Sequence, residues 1–172
     1  MIRWLKGPAD PLPDAALALP ALSEAPGLVA AGGTLDTERL REAYSKGIFP
    51  WYSEDEPIVW WSPDPRFVLF PEKLRVTKSM QSVLNNGAFR FTINRAFTAV
   101  LQNCKTITRK EQEGTWITPA VQHAYTQLHE LGYAHSAEAW MNGELVGGLY
   151  GIRLGNVFFG ESMFSKVSNA SK

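Results

Sequence analysis

Cysteine is nearly missing from this 172-residue chain. Cys104 stands alone, so no intrachain disulfide can form, and a reducing, cytoplasmic setting is expected. Histidine is almost as scarce. His123, His129 and His135 are spaced six apart, which puts them on different faces of any one helix, and no cysteine pair accompanies them, so a metal centre is not expected. Long apolar runs are absent as well: the stretch from Ala15 to Ala31 is broken by Pro20, Glu24 and Pro26, and the opening Met1 to Pro8 segment carries charge early, which excludes a signal peptide or a membrane span here. Net charge is zero, with 17 basic and 17 acidic residues, which taken alone argues against a protein built around nucleic acid. That average hides a local absence. Between Arg66 and Lys110 the one acid is Glu72, against nine bases: Arg66, Lys73, Arg75, Lys78, Arg90, Arg95, Lys105, Arg109 and Lys110. Such segregation is the electrostatic footprint of a surface that holds phosphates, because Lys and Arg displace condensed counterions without a matched sequence. It also fits a solvated sheet edge and helix face guarded by cations.

What is plentiful is aromatic: 12% of the chain, beside 45% hydrophobic and 20% charged residues, a balance that excludes disorder. The length suffices for one domain, or for a small domain joined to a modest second one. Two Pro-stiffened aromatic clusters, Phe49-Pro50-Trp51 and Trp60-Trp61-Ser62-Pro63-Asp64-Pro65-Arg66, and the stretch Gly160-Glu161-Ser162-Met163-Phe164-Ser165 are costly residues for a plain core. Tryptophan needs its N–H paired and glutamate resists burial, so these segments suggest a site.

Local signals place them. Asp36 caps a helix from Thr37 to about Lys46 with Leu40, Ala43 and Tyr44 on one face, and Gly47 stops it. Ile58 to Trp61 and Arg66 to Phe70 read as strands, with Pro63 to Pro65 stiffening the break between them. Thr77 caps a helix carrying Met80, Val83 and Leu84 that ends at Asn86-Gly87; a strand over Phe89 to Ile93 and a helix over Ala96 to about Asn103 follow. Thr118 with Pro119 makes the clearest helix start, carrying Val121, Ala124, Tyr125 and Leu128 to a stop at Gly132. His135 to Met141, Glu144 to Arg153 and Asn156 to Glu161 then read as an antiparallel meander, turned first by Asn142-Gly143.

Gly47-Ile48-Phe49-Pro50-Trp51, the Trp60 to Arg66 segment, Glu113 to Thr118, His135-Ser136, Leu145 to Gly151 and Phe159 to Ser165 occur in the order found in one family. From Gly27 onward the chain resembles the bacterial leucyl/phenylalanyl-tRNA–protein transferases. The resemblance implies an α+β fold: a small N-terminal α/β domain, residues 1–65, followed by an incomplete GNAT-like acyltransferase domain, residues 66–172, built on the meander. It also implies that the chain is C-terminally truncated, since members run on by several dozen residues that include an acidic residue and a glutamine implicated in catalysis. Ser168 or Asn169 looks like the cap of a helix that would follow. The activity implied is transfer of Leu or Phe, and Met less readily, from aminoacyl-tRNA to proteins or peptides with N-terminal Arg or Lys, marking them for N-degron degradation. No cofactor and no membrane partner is expected, and a monomer is.

The residues offer parts for such chemistry. Trp51 and Trp116 suit stacking against the terminal adenine, or serve as hydrophobic staples. Leu149 and Phe158 could wall a pocket for the Leu or Phe side chain with Met163 as a pliable rim and Ser162 beside it, although alternating apolar residues in strands usually form core. Tyr125 could donate to the ribose or the ester, or pack in the core. Glu161 is the expected catalytic residue, holding the ammonium of the aminoacyl group or orienting the attacking amine; its duller role is to pair with a cation and fix a turn. Arg66, Lys73, Arg75, Lys78 and Arg90 are the expected contacts to tRNA phosphates, with the helix after Thr77 poorer in bases than is usual in the family. Rival chemistries fit less well. Phe164 replaces the last glycine of a G-x-S-x-G elbow, and Arg153 to Val157 does not match the loop of an acyl-CoA acetyltransferase. A non-catalytic RNA-binding module with the same surface is the alternative reading.

Overall fold

Short polar side chains open three of the helices. In the computed structural model, which describes residues 2–107 and 115–171, Asp36 accepts the Arg39 N–H at 2.8 Å and caps α1, Thr37–Ser45, and Gly47 follows in the left-handed region at φ 72°. Thr77 accepts the Met80 N–H at 3.3 Å for α2, Lys78–Asn85. Helix α3, Phe97–Thr106, starts at Ala96, which has no capping side chain of its own. Thr118 accepts the Val121 N–H at 3.2 Å for α4, Pro119–Glu130. Arg109, Lys110, Glu113 and Gly114, which figure in the basic run and in one motif, lie outside the described residues.

The chain divides into two compact units, Met1–Arg66 with Arg109–Leu128, and Phe67–Thr108 with His129–Lys172. The first is built on a sheet of short strands, β1 Arg3–Leu5, β2 Leu28–Gly32, β3 Phe49–Pro50 and β4 Val59–Trp61, in the order β1-β2-β4-β3. Only the β1–β2 pair is parallel. Ladders this short need staples. Trp60 is fully buried and its indole N–H donates to the Gly32 carbonyl at 2.8 Å, which satisfies the one polar atom that would make its burial costly. Arg39, 3% exposed, donates to the carbonyls of Pro8 and Asp10 and pairs with Glu42 at 2.6 Å, tying the N-terminal segment to α1. Leu40, Ala43 and Tyr44 of α1 are buried, as the helical spacing predicts.

The second unit carries a long meander, β5 Arg90–Ile93, β6 Ala134–Met141, β7 Glu144–Leu154 and β8 Val157–Ser165, antiparallel throughout and in sequence order. Asn142 and Gly143 join β6 to β7 with both residues left-handed, at φ 52° and 81°, the conformation that Asn-Gly supplies at low cost. Helix α3 packs on one face, burying Phe97, Val100 and Leu101 there. Gly148 makes that approach possible, because a Cβ on it would stand 2.9 Å from Val100 Cγ2 and 2.8 Å from the Phe164 ring. The opposite face keeps Phe91, Ile93 and Met163 exposed at 55%, 71% and 51%.

Two expectations change. Residues 66–70 join neither sheet, and Phe67 is wholly exposed; the segment has strand-forming composition, but both ladders close without it, and a strand needs an edge to pair with. Strand β8 runs to Ser165 rather than stopping at Glu161, because the register shifts there and pairing resumes at Ser162 opposite Tyr150. Among the described residues no helix is long and apolar enough to cross a membrane.

Candidate functional site

In the first unit, the β3–β4 ladder sets two indoles side by side. The Trp51 N–H donates to the Val59 carbonyl at 2.9 Å, and the Trp61 indole N–H returns a bond to the Trp51 carbonyl at 2.7 Å. The rings stand 6.0 Å apart at 62°, an edge-to-face arrangement that leaves Trp51 52% exposed. Trp116, just ahead of α4, is held edge-on to Tyr125 with centroids 6.2 Å apart. Trp51, Trp61, Trp116 and Tyr52 line one cavity of about 770 Å³ whose rim carries Glu54, Asp55 and Glu56. Burial pushes the Tyr52 phenol above its ordinary value of 10.0, against a weaker opposing hydrogen bond with Thr118. Tyr125 has no exposure, and its hydroxyl meets that of Tyr44.

In the second unit the apolar face of the meander owes its continuity to a bulge. Tyr150 pairs with Ser162 and Gly151 with Gly160, so the register passes over Glu161. The added residue re-phases β8. Met163 pairs with Leu149, and Phe158 pairs with Arg153, which puts Phe158 on the same face as Leu149 and Met163. Gly151 gives the Phe158 ring its place, since a Cβ there would come 2.6 Å from it. Leu149 and Met163, with Phe91, Ile93 and Ala137, line a groove of about 590 Å³ closed at one end by Ala170 and Ser171. Ser162 points the other way and is buried. Glu161 sits half-buried at the bulge, where strands commonly re-aim a side chain.

The expected phosphate contacts are all at the surface. The Arg66 guanidinium lies 4.8 Å over the Phe49 ring, the Lys73 ammonium 4.9 Å over Phe70, and Arg75, Lys78 and Arg90 are exposed.

One group escaped the sequence reading. Glu138 is 1% exposed in β6 and accepts hydrogen bonds from the hydroxyls of Thr92 and Ser136, the latter at 2.6 Å, and from the backbone N–H groups of Arg95 and Ala96 at 3.4 and 3.3 Å. From another strand it ties down the two residues that lead into α3, a helix with no capping side chain of its own. The alternation Ala134, Ser136, Glu138 on the buried side was a readable signal; of the donors that make it tolerable, Ser136 is two positions away and the other three come from 42 or more residues away.

Comparison with known proteins defines the class first: both halves of the chain match enzymes named as transferases. The profile described as leucyl/phenylalanyl-tRNA protein transferase covers residues 68–172, and that of the N-terminal domain of the same proteins covers residues 33–64. A leucyl/phenylalanyl-tRNA–protein transferase of Methylococcus capsulatus is 54% identical over 164 residues, covering 95% of this chain and 67% of that protein. The one from Syntrophus aciditrophicus is 59% identical over 85% of this chain and 61% of its own length, and the one from Pseudomonas fluorescens 50% identical over 100% and 74%. The chain therefore belongs to the leucyl/phenylalanyl-tRNA–protein transferase family. It spans 61 to 74% of the length of these relatives.

Proposed function

We propose that the chain is the greater part of an aminoacyltransferase that moves Leu or Phe, and Met less readily, from aminoacyl-tRNA to the N-terminal Arg or Lys of acceptor proteins, marking them for N-degron degradation in the cytoplasm. The observation that carries the reading is the cavity lined by both Trp51, which is half exposed, and Trp116, two residues 65 positions apart. A base stacked on the exposed Trp51 ring gains roughly 1 to 3 kcal/mol, and the terminal adenine of tRNA is the ligand this suits. Tyr125 supports Trp116 edge-on. The groove of Leu149 and Met163, with Phe158 on the same face, takes the apolar side chain of the aminoacyl group, while Arg66, Lys73, Arg75, Lys78 and Arg90 offer cations to the tRNA backbone. We take the meander as the centre of a GNAT-like domain in residues 66–172, preceded by a smaller domain in residues 1–65, although the segment Arg109–Leu128 groups with the first of the two compact units.

The reaction asks for little acid–base power. An aminoacyl ester is already activated, and the α-amino group of the acceptor, with a reference pKa of roughly 7.7 to 8.0, is partly neutral near physiological pH. Attack forms the C–N bond and a tetrahedral oxyanion; collapse expels the ribose oxygen, which takes up a proton. Positioning amine and ester contributes about 7 to 11 kcal/mol towards the barrier. Glu161 fits the part of a carboxylate that orients the amine or holds the ammonium, because the bulge presents it from a rigid strand rather than from a loop.

Transfer of labelled Leu from tRNA to an Arg-initiated peptide, measured for this chain and for a version extended to the length of its relatives, is the direct test. In the extended protein, Glu161→Ala should lower transfer at least about 100-fold while leaving tRNA affinity within about threefold, in line with losing one positioned group. Unchanged transfer would remove Glu161 from the mechanism, and RNA binding without any transfer would favour a non-catalytic module.

A further inference from the structure

We propose that the second unit holds a separate nucleotide seat, in the cleft between the turn that follows α2 and the β6–β7 hairpin, taking a phosphodiester and one stacked base of an RNA strand. This rests on the reading that the protein acts on aminoacyl-tRNA, and it adds a binding surface distinct from the indole cavity of the first unit.

The cleft has a volume of about 440 Å³, and its lining includes Gly87, Arg90, Thr92, Arg95, Trp140 and Gly143. That lies within the range of pockets that take small organic groups, roughly 300 to 1,000 Å³. Arg90 and Trp140 are direct cross-strand partners on β5 and β6, so a guanidinium and an indole rise from one rung of the ladder. The indole is anchored. Its N–H donates to Thr92 Oγ1 at 2.8 Å, and Thr92 in turn donates to the buried carboxylate of Glu138, which also accepts from Ser136 and from the backbone at Arg95 and Ala96. A tryptophan whose polar edge is already engaged offers an incoming molecule only its π surface, and a hydroxyl fixed from both sides holds that surface in one orientation.

Charge supplies the other half. Arg90 and Arg95 are exposed, and among the described residues neither guanidinium meets a carboxylate or a carbonyl. Glu138, the acid nearest in the network, is 1% exposed and spends its oxygens on four donors. Two forked cations beside a fixed flat ring match a phosphate and its base. An acidic peptide would use the cations and leave the ring idle.

Filter binding of labelled, uncharged tRNA to the 172-residue chain across a salt series tests the seat. Arg90→Ala with Arg95→Ala should weaken binding about tenfold at low salt and flatten the plot of log affinity against log salt by about 0.7, the slope expected when the one phosphate of a single strand held by this seat is no longer neutralised. Arg153→Ala, on the same sheet but away from the cleft, should move affinity less than threefold. Trp140→Phe keeps a ring and should retain affinity within about threefold, whereas Trp140→Leu should lose about tenfold with an unchanged circular dichroism spectrum. Wild-type binding with the same affinity and slope in the double arginine variant would overturn the seat and strike Arg90 from the backbone contacts proposed above, while leaving the transferase reading in place. No tRNA binding by the wild-type chain would overturn both the seat and the parent reading. Full competition by AMP at equal nucleotide concentration would assign the cleft to a free mononucleotide and overturn its role in RNA binding.

Discussion

The two units each offer an indole at a cavity, and they surround it with opposite charge. In the first, Trp51, Trp61 and Trp116 share about 770 Å³ with Glu54, Asp55 and Glu56 at the rim; in the second, Trp140 shares about 440 Å³ with Arg90 and Arg95. Stacking is indifferent to the sign of nearby charge, but a phosphodiester is not. An acidic rim admits a base or a cation and discourages a phosphate, and a basic rim does the reverse. The zero net charge of the whole chain therefore conceals two cavities of opposite charge, and overall charge is a poor guide to local electrostatics when acids and bases are sorted by region.

That contrast can be broken from either side. The largest effect is expected for Trp116→Ala, which removes a ring only 8% exposed from its packing on Tyr125 and should destabilise the protein by about 3 to 5 kcal/mol in denaturant titrations, with the arginine-dependent salt slope of tRNA binding retained under native conditions. Next comes Glu138→Ala. It strands the hydroxyls of Thr92 and Ser136 and two N–H groups just ahead of α3, and should lower stability by about 1 to 3 kcal/mol, and the loss should appear as faster amide exchange in α3 before any change in the first unit. Trp51→Ala should cost about 1 to 3 kcal/mol of affinity for an aminoacyl-adenosine ligand and little stability, since the ring is half exposed; an unaffected affinity would dissolve the distinction between the cavities. The smallest effect is expected for Asp36→Ala, about 1 kcal/mol from loss of the α1 cap. Burial raises the Asp36 carboxyl pKa, but the bonds from Thr34 and the Arg39 N–H, with the Arg39 charge, outweigh it and hold the group below its ordinary 3.8. The wild-type advantage should thus be full above about pH 4 and shrink as pH falls through the lower folded value, which paired unfolding curves at neutral and acid pH would show.

How much of this could be read beforehand differs by feature. Caps and stops were legible because they are local: Asp36, Thr77, Thr118, Gly47 and the Asn142-Gly143 turn each act within four residues. Strand pairing was less legible. Residues 66–70 have the composition of a strand and no edge to join, and nothing local records which edges are taken. Trp51 and Trp116 could be named one by one as stacking surfaces, but their shared cavity depends on packing across 65 positions. Glu138 went unseen for the same reason: a glutamate in a strand is ordinary until its donors are known. Arg39 is the counterpart among cations, a helix-surface residue by type whose burial depends on the carbonyls of Pro8 and Asp10.

Strict alternation along β8 would send Phe158 and Met163 to opposite sides of the sheet, because one position is even and the other odd. One inserted residue cancels that parity. Removing position 161 would act on the sheet as a frameshift acts on a message, turning everything between Val157 and Gly160 over while leaving Ser162 to Ser165 as they were. The same insertion exempts that position from the ladder's usual preference for branched or aromatic side chains, so a glutamate can stand there without weakening the pairing on either side.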